Sequence, residues 1–379
     1  MPDMVALRRE LHQHPELSGE EHCTLALIRS RLDALCIPYI TYENGGICAT
    51  IGKGDRAIGL RGDIDALPVQ EATGLPYASE VPGVMHACGH DIHTSILLGA
   101  AQLFKSMEAE LPCAVKLFFQ PAEETIGGAQ VMVEGGCMTN PTVEAVLGLH
   151  VDPTLPVGTA GFLPGKMNAA VINLDITVHG VGCHGAHPEQ GVDPIVTSAQ
   201  IINALQAIGS RFTAPTTPVV VTIGSIHGGT KRNIIPGEVH MQGTVRVLDQ
   251  QTAEQVKALV RRVAENTAAA CGAKADVVLT DDYPALPNDA ALPNRMAAEA
   301  QKLLGNENVV LFETPSLGAD DFAYFSNAAK GCYFNIGTRS PGQPAQMLHS
   351  EFLAPDENCM VTGLALYSAG VWELMEEKA

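Results

Sequence analysis

The stretch VMHACGHDIHTS, residues 84–95, brings His86, Cys88, His90, Asp91 and His93 within eight positions. Each of these side chains binds metals or moves protons, yet their spacing matches no zinc-finger pattern. Taken alone, the stretch reads as part of a metal site, as a cysteine nucleophile, or as a helix start dense in histidine. Three other segments place similar chemistry at the ends of apolar runs. FFQPAEET sets Glu123 and Glu124 directly after one such run, LGLHV sets His150 at the end of another, and MLHSEF sets His349 in a polar segment ahead of the last helix. Ligands gathered from several strand-end loops are what a pair of divalent ions requires. The mix of nitrogen, sulfur and carboxylate donors suits manganese, zinc, cobalt or nickel better than magnesium or calcium.

These loops need a scaffold, and the pattern supplies one. Up to about residue 165, amphipathic helical stretches (MVALRRELHQHPEL, EEHCTLALIRSRLDAL, HTSILLGAAQLFKSM) alternate with short apolar runs (ICATIG, AIGLRGDI, AVKLFFQ, AVLGLHV) bounded by Gly, Pro and Asp. That alternation predicts an α/β sheet with helices on both faces, and Asp91 stands where a helix N-cap would. After PGKMN the strands become one-sided: VINLDITVHG, then a helix, two more strands, and the helix TAEQVKALVRRVAENTAAA. This β-α-β-β-α order predicts a small open-faced α+β sandwich inserted in the main domain. The expected division is a discontinuous catalytic domain, 1–167 and 277–379, around a smaller domain at 168–276.

The composition narrows the function. With 23 Lys+Arg against 42 Asp+Glu, a net charge of −19 disfavours nucleic acid and offers no polybasic membrane patch. No apolar run has the length of a membrane span, and MPDMVALRRE does not read as a signal peptide. The ten cysteines are scattered without a CxxC pair, as reduced thiols in a cytoplasm would be. GVGCHG (180–185) formally matches GxGxxG, but two prolines precede any helix and no acid follows about 20 residues on, so a dinucleotide site is not expected. GxSxG and HExxH motifs are absent too.

The ordered set RGDIDALP, MHACGHDIHT, FFQPAEE, GLHV, GCHGAHPEQGVDP, GTKRNIIP, GTVR, YPAL, GADDFAYF and LHSEF resembles the aminoacylase/hippurate-hydrolase group of dinuclear metallopeptidases, which includes plant auxin-conjugate hydrolases. The resemblance covers nearly the whole chain. It implies that Cys88, His90, Glu124, His150 and His349 bind two divalent ions. Cys88 would bridge them, His90 and His150 would complete one, and Glu124 and His349 the other. Glu123 would be the general base, with Asp65 and Asp91 as supporting residues. The inserted domain would act as a lid and dimerisation unit, with His184 reaching a neighbouring subunit's site to stabilise the oxyanion and with Asn233 and Arg246 holding the substrate carboxylate. His86, His93 and His187 stay without an assigned role, and Asp63 stays outside the ligand set. The implied protein is a homodimeric cytoplasmic amidohydrolase acting on small N-acyl-amino acids. A dipeptidase or carboxypeptidase with the same chemistry and a non-catalytic metal-binding homologue are the alternatives.

Overall fold

The computed structural model describes residues 2–125 and 127–375. The chain divides into two compact units. The first comprises Met1–Met167, Pro287–Thr314 and Asp320–Ala379, and the second Asn168–Leu286 and Pro315–Ala319.

The first unit is built on an eight-stranded mixed sheet. Its order is Tyr39–Thr41, Ile47–Ile51, Ala114–Gln120, Arg56–Asp63, Thr142–Pro156, Lys330–Arg339, Ala160–Phe162 and Val309–Leu311. The four central strands run parallel and are almost wholly buried, which is why their sequences are continuously apolar rather than alternating. Neighbouring residues of one strand meet helices on opposite faces. Leu147 packs on Gly370 of the helix Cys359–Met375, while Gly148 lies against Phe322 of the helix Phe322–Ala328. The helix His90–Ser106 also packs against the sheet, with Leu97 close to Gly62.

The second unit is a four-stranded antiparallel sheet, in the order Val219–Gly228, Glu238–Val247, Ala170–His179, Lys274–Asp281. Its apolar face forms one core with the helices Pro194–Leu205 and Gln250–Ala270. Both helices begin with an Asp N-cap, Asp193 and Asp249, each accepting backbone N–H groups of the first turn. The opposite face carries Asp175, Thr177, His240 and Gln242. The expected boundary at 277 needs correction, because it cuts the strand Lys274–Asp281. That strand alternates buried and exposed residues and pairs with Ala170–His179, so the unit runs on to Leu286. Among the described residues, no helix is long and apolar enough to cross a membrane.

One segment of the first unit has almost no regular structure. Residues 64–89 join the strand Arg56–Asp63 to the helix His90–Ser106, a length that compact domains seldom leave irregular without a functional reason. Its middle is pinned by Glu71, which accepts from the Ser79 amide (2.6 Å) and the Thr73 hydroxyl and lies 3.3 Å from His12. Its end is pinned by Gly89, whose φ of 84° is left-handed. A Cβ there would sit 2.5 Å from Val151 Cγ2.

Two outcomes follow for stability. Gly89→Ala combines a left-handed alanine with a core collision and should cost about 2–4 kcal/mol in chemical denaturation; a loss below about 0.5 kcal/mol would contradict the close packing. Burial opposes charge on Glu71, but His12, the Ser79 amide and the Thr73 hydroxyl hold its carboxyl down at about 2, below the ordinary 4.5. Its contribution is therefore fully present above 4.5 and lost as pH falls toward 2. The gap in melting temperature between wild type and Glu71→Gln should be widest at neutral pH and narrow on acidification through that window. A gap that stays constant would contradict the assignment.

Candidate metal centre

The strand order determines where the chemistry collects. Asp63 and Asp65 follow the core of one central strand, Glu123 and Glu124 follow Gln120 at the end of its neighbour, and His150 lies two residues past Gly148, where the third strand stops pairing with the first but still pairs with Lys330–Arg339. These carboxyl ends adjoin one another, and open α/β sheets bind their ligands there. The irregular segment delivers Cys88 and His90 to the same place, and His349 arrives from the loop before the last helix.

Left-handed backbone occurs at or beside these residues. Ala122, just ahead of the glutamate pair, has φ 57°, and His349 itself has φ 63°, both uncommon for a residue with a side chain. Each is held by a hydrogen bond. The Ala122 N–H donates to the buried Glu21 carboxylate (2.7 Å), and the His349 N–H donates to the Ala87 carbonyl (2.8 Å).

Ligand atoms of Cys88, His90 and His150 lie within 4.8 Å of one another, and so do those of Cys88, Glu124 and His349. Cys88 is common to both triads. Its Sγ lies 3.4 Å from His150 Nε2, and Glu124 Oε1 lies 3.3 Å from His349 Nε2 and 3.9 Å from His90 Nε2. His90 Nε2 and Glu124 Oε1 are buried with no hydrogen-bond partner, an arrangement that costs free energy unless something else occupies their lone pairs. His90 is aimed by Asp65, which takes its Nδ1–H at 3.0 Å and is itself held by the Ser18 hydroxyl (2.7 Å) and the Glu124 amide (3.0 Å). His150 donates Nδ1–H to the Val151 carbonyl at 2.8 Å, which leaves Nε2 bare on the Cys88 side.

The electrostatics favour bound cations. Burial, and after it Glu124, Glu123 and Asp63, push the Cys88 thiol well above its ordinary value, so a thiolate there needs positive charge beside it. Burial opposes charge on His90, but Asp63, Asp65 and Glu124 outweigh it and raise the ring to about 10, so a bound cation would take the place of the Nε2 proton. Burial lowers His150 to about 4, keeping it in the neutral form that binds metals. These donors fit a pair of borderline-soft divalent ions.

Several residues stand differently from expectation. Asp91 is not the helix cap: Gly89 occupies that position without a side-chain bond, and Asp91 lies within the first turn. Its carboxylate turns away from the triads, to His12 Nδ1 (2.8 Å), Arg8 (2.8 Å) and the Ile92 amide (2.9 Å). Asp63 accepts from His93 Nδ1–H (2.6 Å) and pairs with Arg61. His86 is buried with neither ring nitrogen hydrogen-bonded. In the second unit, His184 is exposed on a short ribbon opposite Ile234, one residue from Asn233. Its Nδ1 accepts from the Ala186 amide (3.1 Å), which leaves Nε2–H as its free donor. Arg246 is half-buried and donates to the Leu317 carbonyl (2.9 Å).

Sequence reasoning did not single out Arg61, Asp320 and Asp321. Arg61 is fully buried and reaches Gln120 (2.8 Å), Asp320 (3.2 Å) and Asp321 (2.9 Å) as well as Asp63. Carboxylate oxygens of Asp320, Asp321 and Glu123 lie within 4.8 Å of one another. The signal was the adjacent acid pair in GADDFAYF, set against an apolar run where a solvated turn is unexpected.

The comparisons with known proteins agree with this geometry. Residues 59–373 match the model of peptidase family M20/M25/M40. An N-acetyl-L-cysteine deacetylase of Bacillus subtilis is 42% identical over 88% of this chain and 80% of its own length. An IAA-amino acid hydrolase of Arabidopsis thaliana is 35% identical over 99% of this chain and 87% of its own. The crystal structure of the Bacillus subtilis YXEP protein, described as a dinuclear metal binding peptidase, is 34% identical, superposes with a TM-score of 0.86, and covers 100% of this chain and 99% of its own. Family model, relatives and fold coincide: the chain belongs to peptidase family M20/M25/M40.

Proposed function

We propose that this M20-family hydrolase cleaves N-acyl-L-amino acids to a carboxylic acid and a free amino acid. The observation that carries the proposal is the pair of ligand triads sharing Cys88, with Glu123 buried beside Glu124. Cys88, His90 and His150 would hold one divalent ion, and Cys88, Glu124 and His349 the other. When bound, such ions supply Lewis acidity toward the amide carbonyl and the attacking water. Glu123 accepts the proton of that water and returns it to the leaving amine. Burial, followed by Asp320 and Asp321, pushes its carboxyl well above the ordinary value, and cations bound beside it would bring it back down to where it can take a proton. Asp65 keeps His90 in the tautomer with Nε2 bare.

The roles proposed for the second unit are recognition and assembly. His184 would donate Nε2–H to the oxyanion in a neighbouring subunit, and Asn233 with Arg246 would bind the substrate carboxylate. A homodimer is supported by the edge strand Val219–Gly228, which presents exposed Val220 and Ile226. A cytoplasmic setting is supported by the free thiols, with none of the ten cysteines in a disulfide. A dipeptidase or carboxypeptidase reading draws support from the 37% identity to a thermostable carboxypeptidase of Saccharolobus solfataricus over 95% of this chain and 92% of its own.

The test is metal analysis of the purified chain, coupled to hydrolysis of N-acetyl-, N-benzoyl- and long-chain N-acyl-amino acids beside dipeptides. Two divalent ions per chain and preference for an acyl-amino acid are expected; a metal-free protein inert across the panel would overturn the reading. Glu123→Gln should retain both ions and lose about 10²–10⁴-fold in kcat, and full turnover with intact metal would remove Glu123 as the base. Asp65→Ala should weaken ion binding about 10–100-fold in a chelator titration, while unchanged affinity would remove its orienting role.

A further inference from the structure

His93 has no part in the ligand triads, yet it lies at a break in the central sheet. The strands Arg56–Asp63 and Thr142–Pro156 pair in parallel register as far as Arg61 and Gly148. Beyond that point two side chains replace the ladder. The Tyr367 hydroxyl stands between the strands, accepting from the Leu149 N–H (3.1 Å) and donating to the Arg61 carbonyl (2.6 Å). Two residues on, the Val151 N–H points to the same side and donates to His93 Nε2 at 3.0 Å. An amide N–H has only a proton to give, so His93 Nε2 is a bare lone pair and the ring proton is on Nδ1, where Asp63 accepts it at 2.6 Å.

The Val151 backbone is thereby held on both sides of its Cα, at the 150–151 and the 151–152 peptide groups. Its N–H is held by His93, and its carbonyl accepts the Nδ1–H of His150, the bond that leaves His150 Nε2 facing Cys88. The Val151 side chain lies on Gly89, between Cys88 and His90 in sequence. A chain of contacts runs from Arg61 through Asp63, His93 and the Val151 backbone to His150. Every donor in it meets an acceptor, so its direction is unique.

We infer that His93 is a positioning residue for His150, holding the Val151 backbone in the conformation that gives His150 its tautomer and aim. It acts on one of the two ions only, the one shared by His90 and His150, because Glu124 and His349 make no contact with the relay. The inference rests on the reading above that His150 is a metal ligand.

The test has two arms. In the first, nitrogen NMR of the full-length chain labelled with 15N-histidine, zinc-loaded and metal-free, reads the tautomers directly. His93 should be protonated at Nδ1 and bare at Nε2 in both forms, and His150 should be protonated at Nδ1; His93 protonated at Nε2 would overturn the inference. This arm decides the relay even if the chain binds no metal, an outcome that would defeat only the proposed function. In the second arm, zinc competes with a chromophoric chelator for wild type, His93→Ala and His93→Gln. The alanine variant should lose about 10–100-fold in affinity for one ion and leave the other unchanged. The glutamine variant, whose amide can donate to Asp63 and accept from Val151, should recover to within a few-fold of wild type. Equal loss at both ions, unchanged affinity in His93→Ala, or a glutamine variant as weak as the alanine one would overturn it. If His93→Ala does not fold, the tautomers and the glutamine variant decide.

Discussion

Buried carboxyl groups are the constraint on which the rest of the first unit depends. Asp63, Asp65, Glu123, Asp320 and Asp321 are all buried, Glu124 is nearly so, and Arg61 is the permanent cation in direct contact with three of them. A carboxylate removed from water costs several kcal/mol unless opposite charge and hydrogen bonds replace its hydration. The fold provides these replacements individually: the Tyr333 hydroxyl to Asp320, Gln120 and the Ala129 amide to Asp321, and Ser18 and the Glu124 amide to Asp65. Among the described residues, the buried atoms at this point that lack a hydrogen-bond partner are Glu124 Oε1 and His90 Nε2. The divalent ions proposed at that point would balance the charge and give those atoms a partner.

The same constraint explains the local backbone. Bringing ligands from four segments to one point needs sharp changes of direction, and these fall at Gly89, Ala122 and His349 in the left-handed region. Each is held by its surroundings, through Val151, Glu21 and Ala87 respectively. Strain of this kind, about 1–3 kcal/mol for a residue with a side chain, persists only where neighbouring contacts enforce it. The sheet is opened for the same purpose. Tyr367 and His93 take over the backbone donors that a continued ladder would have satisfied, and His150 lies on the stretch released from Arg56–Asp63.

Much of this was legible in the sequence. Buried parallel strands announce themselves as apolar runs, and AIGLRGDI, AVKLFFQ and AVLGLHV became the central strands of the first sheet. Residue types at the ends of those runs pointed to a shared site because parallel topology leaves few other places for it. The strand Lys274–Asp281 was missed as part of the second unit because a single alternating strand does not declare which sheet it joins. Asp91 looked like a cap because an acid at a helix start usually is one, and the left-handed glycine before it moved the helix boundary. The partners of Asp320 and Asp321 and the role of His93 were illegible for a different reason. A buried charge acquires its meaning from partners far away in sequence, such as Arg61 across 260 positions, and no local pattern encodes that pairing.

Anomalous diffraction from crystals of the metal-loaded chain, recorded at the edge of the bound metal, tests the central claim most directly. The account predicts two peaks about 3.5–4 Å apart, with Cys88 Sγ bound to both, His90 and His150 on one, and Glu124 and His349 on the other. A single ion bound instead among Glu123, Asp320 and Asp321, or by Asp63 and His93, would contradict it.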